Sequence, residues 1–297
     1  MNRKILAIDI GGSKLITGLV DDAGKVLAST KRQLPPKYNI QLIIDSICRM
    51  SEEYLKEQPE AVGVTIPGLA DAEKGIWKYA PFSSISDIPI AAILSEKLRL
   101  PVYIDNDVNA CALAEKKFGA CTNTDNFLWI TVSNGIGGAL CLNGEIFCGE
   151  HNSAGEIGHF IVEEHTDRIC GCGKKGCLEA MASGRGIART YFEWTGKEMS
   201  AQEIAALAAE GDENARKAFE LAGFCIGKAL SYSINLLNIS HVVIGGGVSQ
   251  SFELLYPSMM QALERYMFAQ ANPDIKIEKT QLGYYAALVG CAAVALQ

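Results

Sequence analysis

The chain has 297 residues, more than one hydrophobic core usually organises, so two domains are expected. Hydrophobic residues make up 48% and charged residues 21%, an ordinary globular balance, and a net charge of −7 argues against a protein that coats nucleic acid. No segment approaches the roughly 20 apolar residues of a membrane span, and Asp9 interrupts the short apolar stretch near the start, so no signal peptide, no membrane association and a cytoplasmic location are expected.

Taken in chain order, Lys4 to Ile10 is an apolar run broken by Gly11-Gly12, and Leu15 to Asp21 alternates again, so strand, turn and strand are predicted. Asp22-Ala23-Gly24 is a turn signal, and Val26 to Thr30 completes a meander. Apolar positions between Ile40 and Leu55 recur at helical spacing. Ala61 to Ile66 is a buried strand closed by Pro67-Gly68. A helix over about 88–99 and a strand over Val102 to Ile104 lead into Asp105-Asn106-Asp107. The pattern then returns: strand Phe127 to Val132, breaker Asn134 to Gly138, strand Ala139 to Leu142, as though one βββαβα unit occurs twice. Residues 201–237 read as strongly helical, His241 to Ile244 as a strand ending in Gly245-Gly246-Gly247, and Tyr284 to Leu296 as a closing helix. Strands alternating with helices indicate an α/β fold.

Three glycine sites follow apolar strands, and glycine lets backbone N–H groups approach phosphate oxygens. At the first, Asp9 stands beside Gly11-Gly12-Ser13-Lys14, where a carboxylate suits Mg²⁺ held through water, and where the Ser13 hydroxyl and Lys14 suit phosphate. Neither a Walker loop nor a Rossmann fingerprint is present. Asp107 follows a strand and opens a helix, so it reads either as a helix cap or as a general base for an attacking hydroxyl. Asn106 beside it is suited to hydrogen-bonding a neighbouring hydroxyl.

One His and three Cys (His159, Cys170, Cys172, Cys177) fall within 19 residues and match a closed, structural Cys₃His zinc site. A disulfide, disfavoured in a reducing compartment, and an iron–sulfur ligand set are the alternatives. Metal ligation here fixes the backbone between Glu156 and Glu179, two carboxylates that together suit the hydroxyls of a sugar. The other seven cysteines (Cys48, Cys111, Cys121, Cys141, Cys148, Cys225, Cys291) read as small buried hydrophobes. His151, His165 and His241 have no such framing and read as surface or core residues.

The glycine layout resembles the actin-like ATPase superfamily, which implies two actin-like (ribonuclease H-like) domains with an interdomain cleft. Together with the zinc motif, the chain from Asp9 to about Ala293 resembles the ROK family of bacterial sugar kinases, repressors and open reading frames. The boundary is placed near residues 107–125. That gives an N-terminal domain over 1–115, onto which the helix of about 284–297 packs back, and a larger domain over 116–283 carrying the zinc motif. The resemblance implies ATP with Mg²⁺, structural Zn²⁺ and a homodimer. It makes Asp107 the general base, and Gly68, Asn106, Glu156, His159 and Glu179 the lining of a sugar site. Asp9, Gly11, Gly12, Ser13, Lys14, Asn134, Gly135, Gly137, Gly245, Gly246 and Gly247 become the nucleotide site, and His159, Cys170, Cys172 and Cys177 the zinc ligands.

The family's repressors carry a helix-turn-helix ahead of the first phosphate loop; that loop begins here at Asp9, so a kinase is expected. Ser13 replaces a usual Thr, Asn134 stands where a Thr normally touches phosphate, and Phe82 stands where an Asn is usual near the sugar. The substrate expected is therefore a hexose or an N-acylhexosamine such as glucose or N-acetylmannosamine. A catalytically weak sugar-binding regulator is the alternative, and an actin-like ATPase carrying a Cys-bound cluster is a third.

Overall fold

The structure, a computed structural model, describes residues 3–35, 38–80 and 85–297. Phe82 lies outside the described residues. Among the described residues the architecture is α/β, with three sheets and two compact units. Met1–Asp125, Gly144–Ala154 and Gln281–Gln297 form the first; Asn126–Asn143 and Gly155–Thr280 form the second.

In the first unit β1 (Lys4–Ile10), β2 (Lys14–Asp21) and β3 (Val26–Gln33) form the antiparallel meander. Helix α1 (Ile40–Leu55), capped by Asn39, crosses to β4 (Ala61–Ile66). A small antiparallel sheet follows, β5 (Leu69–Asp71), β6 (Ile76–Tyr79) and β7 (Ser86–Ile88). This sheet falls between the predicted strand and helix, where the sequence shows no periodicity. Its fully buried Trp77 donates its indole N–H to the Pro67 carbonyl at 3.0 Å and so pins the Pro67-Gly68 corner. Helix α2 (Ile90–Leu98), β8 (Val102–Asn106) and α3 (Asp107–Phe118) complete the forward path. The main sheet runs β3-β2-β1-β4-β8, antiparallel through the meander and parallel beyond β1.

The second unit repeats that order. Strands β9 (Phe127–Val132) and β10 (Ile136–Leu142) form the hairpin. The short strand β11 (Glu145–Phe147) belongs to the first unit. Helices α4 (Leu178–Ala182), α5 (Gly184–Thr195), α6 (Ala201–Glu210) and α7 (Glu213–Leu237) precede β12 (His241–Gly245), then α8 (Phe252–Tyr266) and β13 (Lys276–Lys279). β12 pairs parallel with both β9 and β13. The stretch over 201–237 is helical as predicted, and it is two helices. Gly211 turns with φ +103°, and the Asp212 side chain caps α7 by accepting from the Ala215 amide at 2.8 Å.

The last helix, α9 (Ala286–Ala295), is buried nearly all round, and it packs in the first unit on β1, β4, β8 and α3. Such contact needs small residues: a Cβ on Gly63 would overlap the Cys291 carbonyl, and one on Gly290 would press on Ala110. The Cys291 thiol donates to the Ile8 carbonyl at 3.2 Å. None of the ten cysteines forms a disulfide; of the seven expected in the core, five are buried, while Cys48 and Cys148 are half-buried. His151 and His165 are exposed, and buried His241 meets Glu278 at 2.7 Å.

Candidate active site

Parallel pairing sets Asp9, Thr65 and Asp105 side by side near the ends of β1, β4 and β8. The Thr65 hydroxyl donates to Asp9 Oδ1 at 2.9 Å. Burial raises the Asp9 carboxyl above its ordinary range, against the smaller opposing pulls of Thr65 and of the Lys14 charge. Burial also pushes Asp105 up to about 6, although the Asn106 amide and the Asn109 side chain both donate to it.

The helix cap at the end of β8 is Asn106, not Asp107. Asn106 Oδ1 accepts from the amides of Val108 at 2.8 Å and Asn109 at 3.2 Å, the first orphan donors of α3. Its Nδ2 donates to the Gly68 carbonyl at 2.8 Å, joining two predicted sugar-site residues at one corner. Gly68 turns there with φ +85°, a conformation that suits glycine. Asp107 is thus the first helical residue, released from capping, and its Oδ1 accepts from the Val108 amide at 3.1 Å. Burial, and secondarily the like charge of Asp9, push its carboxyl up to about 7. A carboxyl that titrates near neutrality is suited to proton transfer.

In the first glycine turn the Gly11 amide donates to the Lys14 carbonyl at 2.8 Å, leaving Gly12 and Ser13 exposed at its tip. The Lys14 ammonium lies 4.8 Å from the centre of the Tyr284 ring.

In the second unit the turn between β9 and β10 is Ser133–Gly135, shorter than the predicted breaker. Gly137 and Gly138 lie within β10, opposite Thr131 and Ile130. A Cβ on Gly138 would strike the Gly155 carbonyl, so that glycine serves close backbone approach inside a strand. Asn134 is exposed at the turn. Gly245 and Gly246 lie against β9: a Cβ on the first would overlap the Trp129 ring, and one on the second the Val132 backbone. A Cβ on Gly247 would meet only the Ser133 hydroxyl, at 3.8 Å.

The ligand atoms of His159, Cys170, Cys172 and Cys177 all lie within 4.8 Å of one another. Cys172 and Cys177 sulfurs are 3.6 Å apart, and Cys170 Sγ is 3.6 Å from His159 Nδ1. Tetrahedral zinc with bonds of about 2.3 Å to sulfur and about 2.0 Å to nitrogen sets such pairs about 3.8 and about 3.5 Å apart, so the donor set fits the ion. A disulfide, at about 2.05 Å, is not formed. The other ring nitrogen of His159 faces Glu156 Oε2 at 3.7 Å, the side on which a ligating imidazole would take an outer partner. Glu179 is drawn two ways: Oε1 lies 3.8 Å from Cys170 Sγ, and Oε2 accepts the Ile136 amide at 3.1 Å, just past the second glycine turn. The carboxylate fills the space a Gly135 Cβ would need.

Four contributors were not predicted from the sequence. Thr65 is a buried polar residue in an apolar strand, a signal the sequence does carry. Asp105 stood out only as part of its tract. Arg168 and Arg185 act through partners distant in sequence. Arg168 is almost fully buried and fastens the cysteine loop to α5 through Thr190 at 2.8 Å and Glu193 at 2.6 Å.

The doubled sheet order, with glycine turns at the strand ends, is that of the actin-like two-domain fold. Within that class the chain belongs to the ROK family, whose model matches residues 5–297. It is similar to an N-acetyl-D-glucosamine kinase of Escherichia coli O1:K1, 31% identical over 96% of both chains. It is also similar to a xylose repressor of Bacillus subtilis, 27% identical over 98% of this chain and 76% of the repressor. A ROK family glucokinase from Streptomyces griseus, solved in complex with glucose and AMPPNP, superposes with a TM-score of 0.86 at 29% identity, covering 100% of this chain and 99% of its own. Among the described residues, no helix is long and apolar enough to cross a membrane.

Proposed function

We propose that the protein is an ATP-dependent kinase that phosphorylates a hydroxyl of a hexose or an N-acylhexosamine. The observation that carries this reading is the freeing of Asp107. Asn106 takes the cap, and a carboxyl raised to about 7 is left at the helix start. A hydroxyl proton passes to Asp107 as the sugar oxygen bonds to the γ-phosphorus; the bridging β–γ bond breaks and ADP leaves. Likeness to a glucokinase solved with glucose and AMPPNP supports sugar and ATP as the reactants.

Gly68 and Asn106, joined by their hydrogen bond, hold one side of the sugar. Glu156, His159 and Glu179, on the segments fixed by the metal cluster, accept and orient its other hydroxyls. The glycine turns at Gly11–Lys14 and Ser133–Gly137 approach phosphate, and Gly245–Gly247 approaches the adenosine. Asp9 suits an Mg²⁺ that keeps its water shell, and that ion offsets phosphate charge when bound. Zinc on His159, Cys170, Cys172 and Cys177 is structural, with no open position among four protein ligands.

A coupled assay of ADP release over a panel of hexoses and N-acylhexosamines tests the reading: turnover on at least one sugar is expected. Sugar binding with no sugar-dependent ADP release on any member would favour a weakly catalytic, sugar-binding regulator instead. The observation favouring that second reading is the exposed Asn134 in the second glycine turn, together with the likeness to a repressor.

A further inference from the structure

The turn between β9 and β10 is held from one side by the corner at which α4 ends and α5 begins. Three hydrogen bonds reach it from residues 179–185. Glu179 Oε2 accepts the Ile136 amide at 3.1 Å, the Gly184 amide donates to the Ser133 carbonyl at 2.7 Å, and Arg185 Nε donates to the Asn134 carbonyl at 2.8 Å. The corner itself admits little change. Ser183 caps α5 on the Gly186 amide at 3.2 Å, a Cβ on Gly186 would strike the Met181 backbone, and one on Gly184 would come within 3.0 Å of the Ser133 carbonyl. Arg168 ties the body of α5 to the cysteine loop through Thr190 and Glu193. Turn, corner and metal loop therefore form one connected hydrogen-bonded set within the second unit.

Two of these three contacts come from a backbone amide or from a carboxylate that also faces the cysteines. Arg185 is different. Its side chain is exposed, and it reaches the carbonyl of Asn134 at the tip of the turn. An ionised donor on a carbonyl orients the peptide more firmly than a neutral one. The peptide so held is the one joining Asn134 to Gly135, whose N–H points away from its own carbonyl, which Arg185 engages.

We propose that Arg185 is a positioning residue for the nucleotide: by holding the Asn134 carbonyl, it turns the Gly135 amide of the same peptide toward phosphate. This rests on the reading of the Ser133–Gly137 segment as a phosphate loop. It also gives the metal loop a role in the nucleotide site as well as in the sugar site, because the same helix carries Arg185 and receives Arg168.

The test uses the full, zinc-loaded protein and the variants Arg185→Met and Arg185→Lys. Binding of AMPPNP, adenosine and sugar is followed by calorimetry, and amide exchange over residues 133–138 by mass spectrometry. In Arg185→Met, AMPPNP affinity is expected to fall about tenfold, near the lower end for a charge-assisted hydrogen bond, with adenosine and sugar affinity within about twofold of wild type. Exchange over 133–138 is expected to speed up by a similar factor at unchanged zinc content, and Arg185→Lys to recover part of both losses. AMPPNP affinity and exchange that do not move in Arg185→Met overturn the proposal. Equal losses for sugar and nucleotide overturn it too, since a merely structural role lowers both. Wild-type protein that binds AMPPNP no more tightly than adenosine removes the phosphate-loop reading itself, and with it the proposal.

Discussion

Replacing Asp107 by Asn is expected to stabilise the fold while abolishing turnover. Raising the carboxyl from 3.8 to about 7 sets the size of the effect. Each pKa unit is about 1.36 kcal/mol, so keeping this group ionised in the folded state costs at most about 4 kcal/mol. Asp107 keeps some contact with water, which lowers that figure to about 2–4 kcal/mol. One effect opposes the gain: a carboxylate in the first turn of α3 interacts favourably with the helix dipole, worth about 0.3–1 kcal/mol, and Asn forfeits it. Desolvation outweighs the dipole, so a net gain of about 1–3 kcal/mol remains at pH 8.

The sign fixes the pH window. Below pH 3.8 the group is protonated in both folded and unfolded chains and contributes no difference. Between there and about 7 the unfolded chain releases its proton first, so wild-type stability falls as pH rises, and the advantage of Asn opens. Above about 7 the gap is constant. Urea unfolding of wild type and Asp107→Asn at pH 4 and pH 8 measures it directly. A variant no more stable than wild type at pH 8, yet fully folded, refutes the assignment of a carboxylate held above its ordinary range by burial. The coupled assay on the same samples should show kcat lowered by at least about 10²; retained turnover removes Asp107 as the base.

Below about pH 7, kcat/KM for the sugar should fall tenfold per pH unit as Asp107 takes up its proton, and a rate flat down to pH 5 would contradict this. Gly135→Ala forces a methyl into the Glu179 carboxylate; KM for ATP should rise about tenfold or more, checked by initial rates at saturating sugar. Cys172→Ala should lose about one zinc per chain by elemental analysis and weaken sugar binding through Glu179, and unchanged sugar affinity would uncouple the two. Gly63→Ala should lower stability by about 1–3 kcal/mol in urea unfolding, because the Cys291 backbone stands where the methyl must go.

What could be read in advance was whatever is written locally. Apolar runs ending in glycine placed β1, β4, β9 and β12, and the His159 to Cys177 spacing marked the four donors that the fold brings together. Gly137 and Gly138 misled because a glycine pair signals a turn and a close backbone approach equally well; only the neighbouring Gly155 decides between them. Asp107 and Asn106 divided their duties in a way composition cannot specify, since either side chain can cap a helix. The remainder is long-range. Thr65 meets Asp9 across 56 positions and Arg185 meets Asn134 across 51, and in neither case do the flanking residues name the partner. The small sheet of β5, β6 and β7 has strands of three or four residues, too short for a period to register.

The lodging of α9 against Gly63 has a consequence for how the chain is made. The first unit draws on residues 281–297, which follow every residue of the second unit in the chain. A ribosome therefore finishes the second unit while one face of the sheet holding Asp9 and Thr65 still lacks its helix. Domains commonly fold in the order they emerge, but here the earlier-made sheet cannot close until the later-made unit is complete. During that interval Ile5, Ala7 and Ile16, which end up buried with Leu288 and Ala292, have no partner from α9. Because the helix that seats on Gly63 is made last, the first strands wait longest, and that sheet face stays uncovered until synthesis is nearly complete.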